Sequence, residues 1–109
     1  GYAYGNGGFQ FWNAPLMMGG IRLGAITLMG GVDGNGIPFT PDYNGPSPYE
    51  GHQQINLGRH EGGHGIQQEV LGPLFIPLYF LTGGPHEANP FEIGADNYST
   101  GNGSPWSGF

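Results

Sequence analysis

The longest stretch with helical spacing in this sequence runs from about Gln53 to Val70, and it is hemmed in by glycine and proline. Ile55, Arg59, Gly63, Ile66 and Val70 follow one another by three- and four-residue steps and so share one side of the expected helix. Gly72-Pro73 ends it. Elsewhere the chain is cut more finely, because 24 Gly and 10 Pro stand among its 109 residues. Such a share often marks low complexity. Here the glycines are not periodic and long apolar runs lie between them, which points to one loop-rich folded α+β domain with a modest core.

Short elements fit between the breaks. Residues 9–12 and 21–29 read as a short sheet or hairpin, with Gly24 marking a bulge or a close backbone approach. Residues 30–51 are dense in turn formers and read as a long loop or hairpin excursion. Within it, Asp33, Asn35 and Gly36 resemble the start of a calcium loop whose remaining ligands are missing. His52 reads as a polar loop residue or one at the helix start. A helix follows over about 54–71. Residues 74–81 are apolar all round, which predicts a buried second helix started or kinked by Pro77. Asn89-Pro90 opens a short third helix over about 90–97. Residues 1–20 and 98–109 read as Gly-rich peripheral segments of a single domain, 1–109, expected to be a module of a longer chain.

Charge removes several classes of function. The net charge is −6, and the only cations are Arg22 and Arg59. Two arginines cannot form the basic face that displaces counterions from nucleic acid, nor a patch for anionic lipid. There is no Cys, hence no disulfide or thiolate chemistry. No apolar run reaches the ~20 residues that span a bilayer.

Chemistry concentrates in His60-Glu61-Gly62-Gly63-His64. Imidazoles four residues apart lie on one helix face, about a turn apart, and can share one zinc. Glu61, roughly 100° round the helix, can lean over the metal as a general base without ligating it. Gly62 and Gly63, each costing about 1 kcal/mol inside a helix, leave room for another backbone or a substrate. A catalytic zinc normally takes three protein ligands. Glu92 is the best third, with His86 next. Asp96, four residues after Glu92, is placed to accept a hydrogen bond from a ligating imidazole and fix its tautomer. His86 and Tyr98 are candidate oxyanion donors, and Ile26, Thr27 and Leu28 are candidate substrate contacts if a peptide adds to the edge of residues 21–29. Tyr79 reads as a core or rim aromatic.

His60-Glu61-x-x-His64 with Glu92-x-x-x-Asp96 resembles the gluzincin metallopeptidases. Ile26-Thr27-Leu28, His60 to Gln67, Leu71-Gly72-Pro73-Leu74-Phe75-Ile76-Pro77, Asn89-Pro90-Phe91-Glu92 and Ser104-Pro105-Trp106 resemble more closely a small HExxH domain found at the C-termini of Rhs/YD-repeat polymorphic toxins. Gly62, Gly63 and Gly65 stand where that domain carries bulkier residues. The resemblance implies a zincin-like fold and one Zn²⁺ held by His60, His64 and Glu92. It implies peptide-bond hydrolysis through a zinc-activated water with Glu61 as base. It further implies a bacterial effector, secreted or delivered into a target cell, with a protein substrate, a parent toxin chain and an immunity protein as partners. Three alternatives stand beside this reading. They are a non-peptide amide substrate, a closed structural site with His86 as fourth ligand, and a Gly- and aromatic-rich self-assembling module with a vestigial site.

Overall fold

A computed structural model describes residues 1–15, 18–46 and 54–109; His52 and residues 47–51 of the predicted excursion lie outside them. The fold is α+β. Four strands, β1 (Tyr2–Gly5), β2 (Gly8–Phe11), β3 (Gly19–Leu23) and β4 (Ile26–Gly30), form one mixed sheet in the order β1-β2-β4-β3. The pairs β1/β2 and β3/β4 are antiparallel, while β2 and β4 run parallel. A two-stranded ladder, β5 (Asn44–Pro46) with β6 (Gln54–Asn56), leads into α1 (Leu57–Leu71); α2 (Phe75–Leu81) and α3 (Pro90–Thr100) follow.

The predicted strand over 21–29 is a hairpin rather than one strand. Gly24 takes φ +59°, a left-handed conformation natural to glycine, and reverses the chain so that Leu23 pairs with Ile26 and Ile21 with Leu28. Strand 9–12 is observed as Gly8–Phe11, with Tyr2–Gly5 added at the sheet edge. The ends of the chain are tied into the fold. Residues 1–20 supply two strands and enter a third, and Trp106 and Phe109 pack on Phe91 of α3.

The main helix starts three residues later than predicted, since Gln54–Asn56 pairs as β6. Asn56 caps it, its side chain accepting the Arg59 backbone N–H at 2.9 Å. The buried positions of α1 are Leu57, Gly58, His60 to Gly65 and Gln67, so apart from Leu57 at its start its inner side is polar or glycine, and of the stripe positions on the helix it includes only Gly63. Helix α3 extends from Pro90 to Thr100, capped by Asn89 and closed by left-handed Gly101.

Helix α2 corrects a second expectation. It forms, after a 3₁₀ turn at Gly72–Leu74, but it is not buried. Only Phe75 is enclosed and Tyr79 half-buried, while Ile76, Leu78, Phe80 and Leu81 face out. Seven residues make two turns, and only the Phe75/Tyr79 side, whose rings stack 5.5 Å apart, turns inward. The compact core lies elsewhere, where Met29 of β4 meets Phe39 and Tyr43 of the excursion, Ile55 of β6 and Leu57 of α1. Asp33 serves that excursion as a turn residue. Its Oδ1 accepts the Asn35 and Ile37 N–H groups and its Oδ2 the Tyr43 hydroxyl. None of the helices of the described residues is long and apolar enough to cross a membrane.

Candidate metal centre

Helices α1 and α3 pack closely because glycine lines the contact. A β-carbon at Gly63 would lie 3.2 Å from the Ala95 Cα, so the backbone expected to approach the motif is that of α3. Gly62 admits the β1–β2 turn at Asn6 in the same way. Gly65 admits Arg22, whose guanidinium carbon would sit 2.7 Å from an added β-carbon. That guanidinium donates to the carbonyls of Asn6, Gly7 and Gly24 and to the Thr27 hydroxyl, joining both hairpin turns beneath α1. Gln68 completes the clamp, donating to the Arg22 carbonyl and accepting the Gly24 N–H, each at 2.6 Å.

This packing brings His60, Glu61 and His64 of α1 against Glu92 and Asp96 of α3. All five side chains are buried. Glu92 Oε1 lies 3.1 Å from His60 Nε2 and 3.0 Å from His64 Nε2, whereas Glu61 Oε1 stands back at 3.6 Å from His60 Nε2. Donor atoms held about 2.0–2.1 Å from a tetrahedral metal lie about 3.3 Å apart, so Glu92 Oε1 has ligand spacing to each imidazole. His60 Nε2 lacks the alignment of a hydrogen bond to Glu92, and Glu61 Oε2 is likewise buried without a partner among the described residues.

The outer nitrogens are held as a metal centre requires. His60 Nδ1 lies 2.6 Å from Asp96 Oδ1, a close polar contact that lacks the alignment of a hydrogen bond. His64 Nδ1 lies 2.8 Å from Gln67 Oε1. The amide of Gln67 has no freedom to flip, because its nitrogen donates to the carbonyls of Phe91 at 2.9 Å and Pro105 at 2.8 Å. His64 therefore keeps its proton on Nδ1 and turns Nε2 inward when neutral, and the Asp96 carboxylate beside His60 Nδ1 favours the same tautomer there. Tyr79 donates its hydroxyl to Glu92 Oε2.

Electrostatics point the same way. Burial opposes charging His60 and His64, yet the carboxylates outweigh it. Asp96, Glu92 and Glu61 hold His60 well above the ordinary imidazole range, and Glu92 leads in raising His64. Burial likewise disfavours ionised Glu92, but both imidazoles pull it far below the usual carboxylate range. Burial raises Glu61, opposed by the two rings. With both rings neutral, the carboxylates of Glu61, Glu92 and Asp96 would bury three negative charges, a cost that added protons or a cation must offset. The buried His-Glu-His group can thus hold a metal ion.

The centre opens on a cleft of about 360 Å³. One wall is β3 from Gly20 to Leu23. The other is α2, with Phe75, Ile76, Tyr79 and Phe80; Glu61, His64, Gln68 and Glu92 form the base, and Pro85 stands at the rim. Gly20 allows β3 to pass Glu61, since a β-carbon there would lie 3.2 Å from Glu61 Cγ.

Other expected contacts fall elsewhere. Ile26, Thr27 and Leu28 lie on β4, paired on both sides, so the free edge beside the cleft belongs to β3. His86 is in an exposed turn, its Nδ1 accepting the Ala88 N–H, and does not line the cleft. Tyr98 lies where α1 meets α3, with Arg59 5.0 Å over its ring. Gln67 and Tyr79 are the residues whose roles the sequence did not assign. Gln67 follows His64 by three positions, a spacing that puts both on one helix face, and it closes the His60 to Gln67 stretch that carries the resemblance, but neither signal gives it a role. No protein-family model, no curated protein and no solved structure matches this chain.

Proposed function

We propose that this chain is a zinc-dependent hydrolase of the gluzincin kind, with a zincin-like fold, cleaving peptide bonds. The observation that carries the reading is the convergence of His60 Nε2 and His64 Nε2 on Glu92 Oε1, with Glu61 Oε2, buried without a hydrogen-bond partner among the described residues, beside them at the base of a cleft. His60, His64 and Glu92 would hold the ion, and imidazole with carboxylate suits zinc among divalent metals. A bound zinc supplies Lewis acidity, polarising a carbonyl and making water acidic enough to lose a proton near neutrality.

The rest is the work of the chain's own residues. Asp96 and Gln67 keep the two rings aimed inward, and Tyr79 steadies Glu92. Glu61 takes one proton from the attacking water as its oxygen bonds to the carbonyl carbon. It returns that proton to the amide nitrogen as the C–N bond breaks. An extended substrate fits the free edge of β3 better than β4, with α2 offering apolar contacts opposite. The effector role, with a parent toxin chain, an immunity protein and delivery to a target cell, remains part of this proposal and rests on the sequence resemblance alone.

The test is elemental analysis of the native chain and of His60→Ala, purified identically and loaded with zinc at neutral pH. About one zinc per native chain, lost in the variant, is expected. Absence of metal from both sinks the reading. Glu61→Gln should then keep the zinc and lose peptide hydrolysis by a factor of 100 or more; turnover at the native rate would remove Glu61 from the chemistry.

A further inference from the structure

The four-stranded sheet is inside out. Its inner face, against α1, carries the row Ala3, Gln10, Thr27 and Arg22, in register across β1, β2, β4 and β3, with Gly8, Gly20 and Met29 beside it. The outer face carries two rows in register: Tyr4, Phe9, Ile26, Leu23 and Tyr2, Phe11, Leu28, Ile21. Except for half-buried Leu28, these side chains are exposed, from 40% at Phe11 to 81% at Tyr2, and Ile21 and Leu23, on the edge strand, also border the cleft. A sheet with one solvated face normally alternates the other way, polar side out. The one charged residue on the four strands, Arg22, points inward.

We infer that this face binds the same face of a second copy of the chain, giving a twofold dimer in which two sheets stack through their Tyr, Phe, Ile and Leu rows.

Area, charge and shape support that occupant. Taking about 200 Å² for an aromatic side chain and somewhat less for an aliphatic one, the exposed fractions amount to roughly 700 Å² of surface. This exceeds the largest patch of a typical monomer, about 300–600 Å², and approaches the ~800 Å² that each partner of a stable complex contributes. The chain carries a net charge of −6, so two copies repel wherever acids face each other. On these strands there is none, making this face the one on which self-association meets least repulsion. Stacked sheets interdigitate side chains at ~10 Å spacing, and the turns at Asn6-Gly7 and Gly24-Ala25 carry no bulky side chain to hold a second sheet off. A lipid surface is the weaker match. Arg22 is enclosed and Arg59 is occupied by the Tyr98 carbonyl and ring, leaving no free cation among the described residues to draw the chain to anionic headgroups.

Sedimentation velocity on the full chain tests this, with and without a metal chelator, so that the result does not depend on the zinc reading. The expected result is a concentration-dependent species of twice 11.5 kDa, present in both conditions. Phe9→Asp, at an exposed position outside the cleft, should sediment as a monomer with an unchanged far-UV spectrum. Because the chain has no Cys, Ile26→Cys carries the sole thiol; it should cross-link two copies on oxidation, whereas Glu87→Cys should not. The inference is overturned by a single 11.5 kDa species at about 100 µM, a concentration at which an interface of this size is normally formed. It is overturned equally by self-association that Phe9→Asp leaves intact. A monomer that floats with phosphatidylcholine vesicles through Phe9 would assign the face to lipid instead.

Discussion

Gln67 is a residue whose neighbours fix its orientation and whose orientation aims a candidate ligand, His64. Its amide nitrogen faces two carbonyls, so its oxygen must face His64. Replacing it with methionine, similar in length and unable to donate, leaves the Phe91 and Pro105 carbonyls buried without their donor. We expect a loss of about 1–3 kcal/mol in stability. Zinc affinity should fall about 10–100-fold, the usual effect of removing a group that orients a ligand. Competition with a zinc chelator and urea melts measure the two separately. Unchanged affinity in a destabilised variant would make Gln67 a packing residue only. The His60–Glu61–His64 triplet was legible from spacing alone, because four residues on a helix is a geometric statement. Glu92 and Asp96 were legible for the same reason, their own four-residue step matching that of the histidines. The part of Gln67 was not, since no pattern in one sequence says which carbonyls, 24 and 38 positions onward, will trap its amide.

Among the elements, the helices were easier to foresee than the surfaces they present. The breaks at Gly72-Pro73 and Asn89-Pro90 delimit α1 and α3 correctly within a few residues. The apolar run of α2 predicts burial, the usual fate of such a run. Its position as the outer wall of a cleft depends on how β3 lies opposite, which is a tertiary fact. The hairpin at Gly24 was missed because a glycine within a β-branched run signals a bulge as readily as a turn. Glycines on the helices test the packing directly. Gly94 of α3 lies under the Pro105 carbonyl, where an added methyl would collide. Helix propensity alone makes Gly94→Ala stabilising by about 1 kcal/mol. The contact reverses that sign. We expect a loss of about 1–3 kcal/mol through overpacking, with weaker zinc binding as the tail carbonyl leaves Gln67. A variant that melts higher than the parent would refute the tail's placement.

The whole molecule holds its excursion to its core through Tyr43, which is enclosed beside Phe39 and donates to Asp33 at 2.9 Å. Burial and the Asp33 charge push the Tyr43 phenol from 10.0 up to about 12. The folded chain therefore binds this proton more tightly than the unfolded one. Its contribution is complete below pH ~10 and is lost as pH rises through about 12. Thermal melts from pH 8 upward should show that alkaline loss in the parent chain and a shallower one in Tyr43→Phe, with no difference in slope near neutrality. Equal slopes above pH 10 would mean another group titrates there.

Arg22 reaches back to Asn6 and Gly7, and Gln67 reaches forward to Pro105. The two anchors of one site thus sit almost at opposite ends of the 109 residues. Contacts so distant in sequence form late and together, since each must close a long loop before it gains anything. A ribosome that has just released the His60–His64 segment holds a chain with the motif and without the means to aim its rings. The amide of Gln67 is fixed only once the segment that carries Pro105 has folded against it.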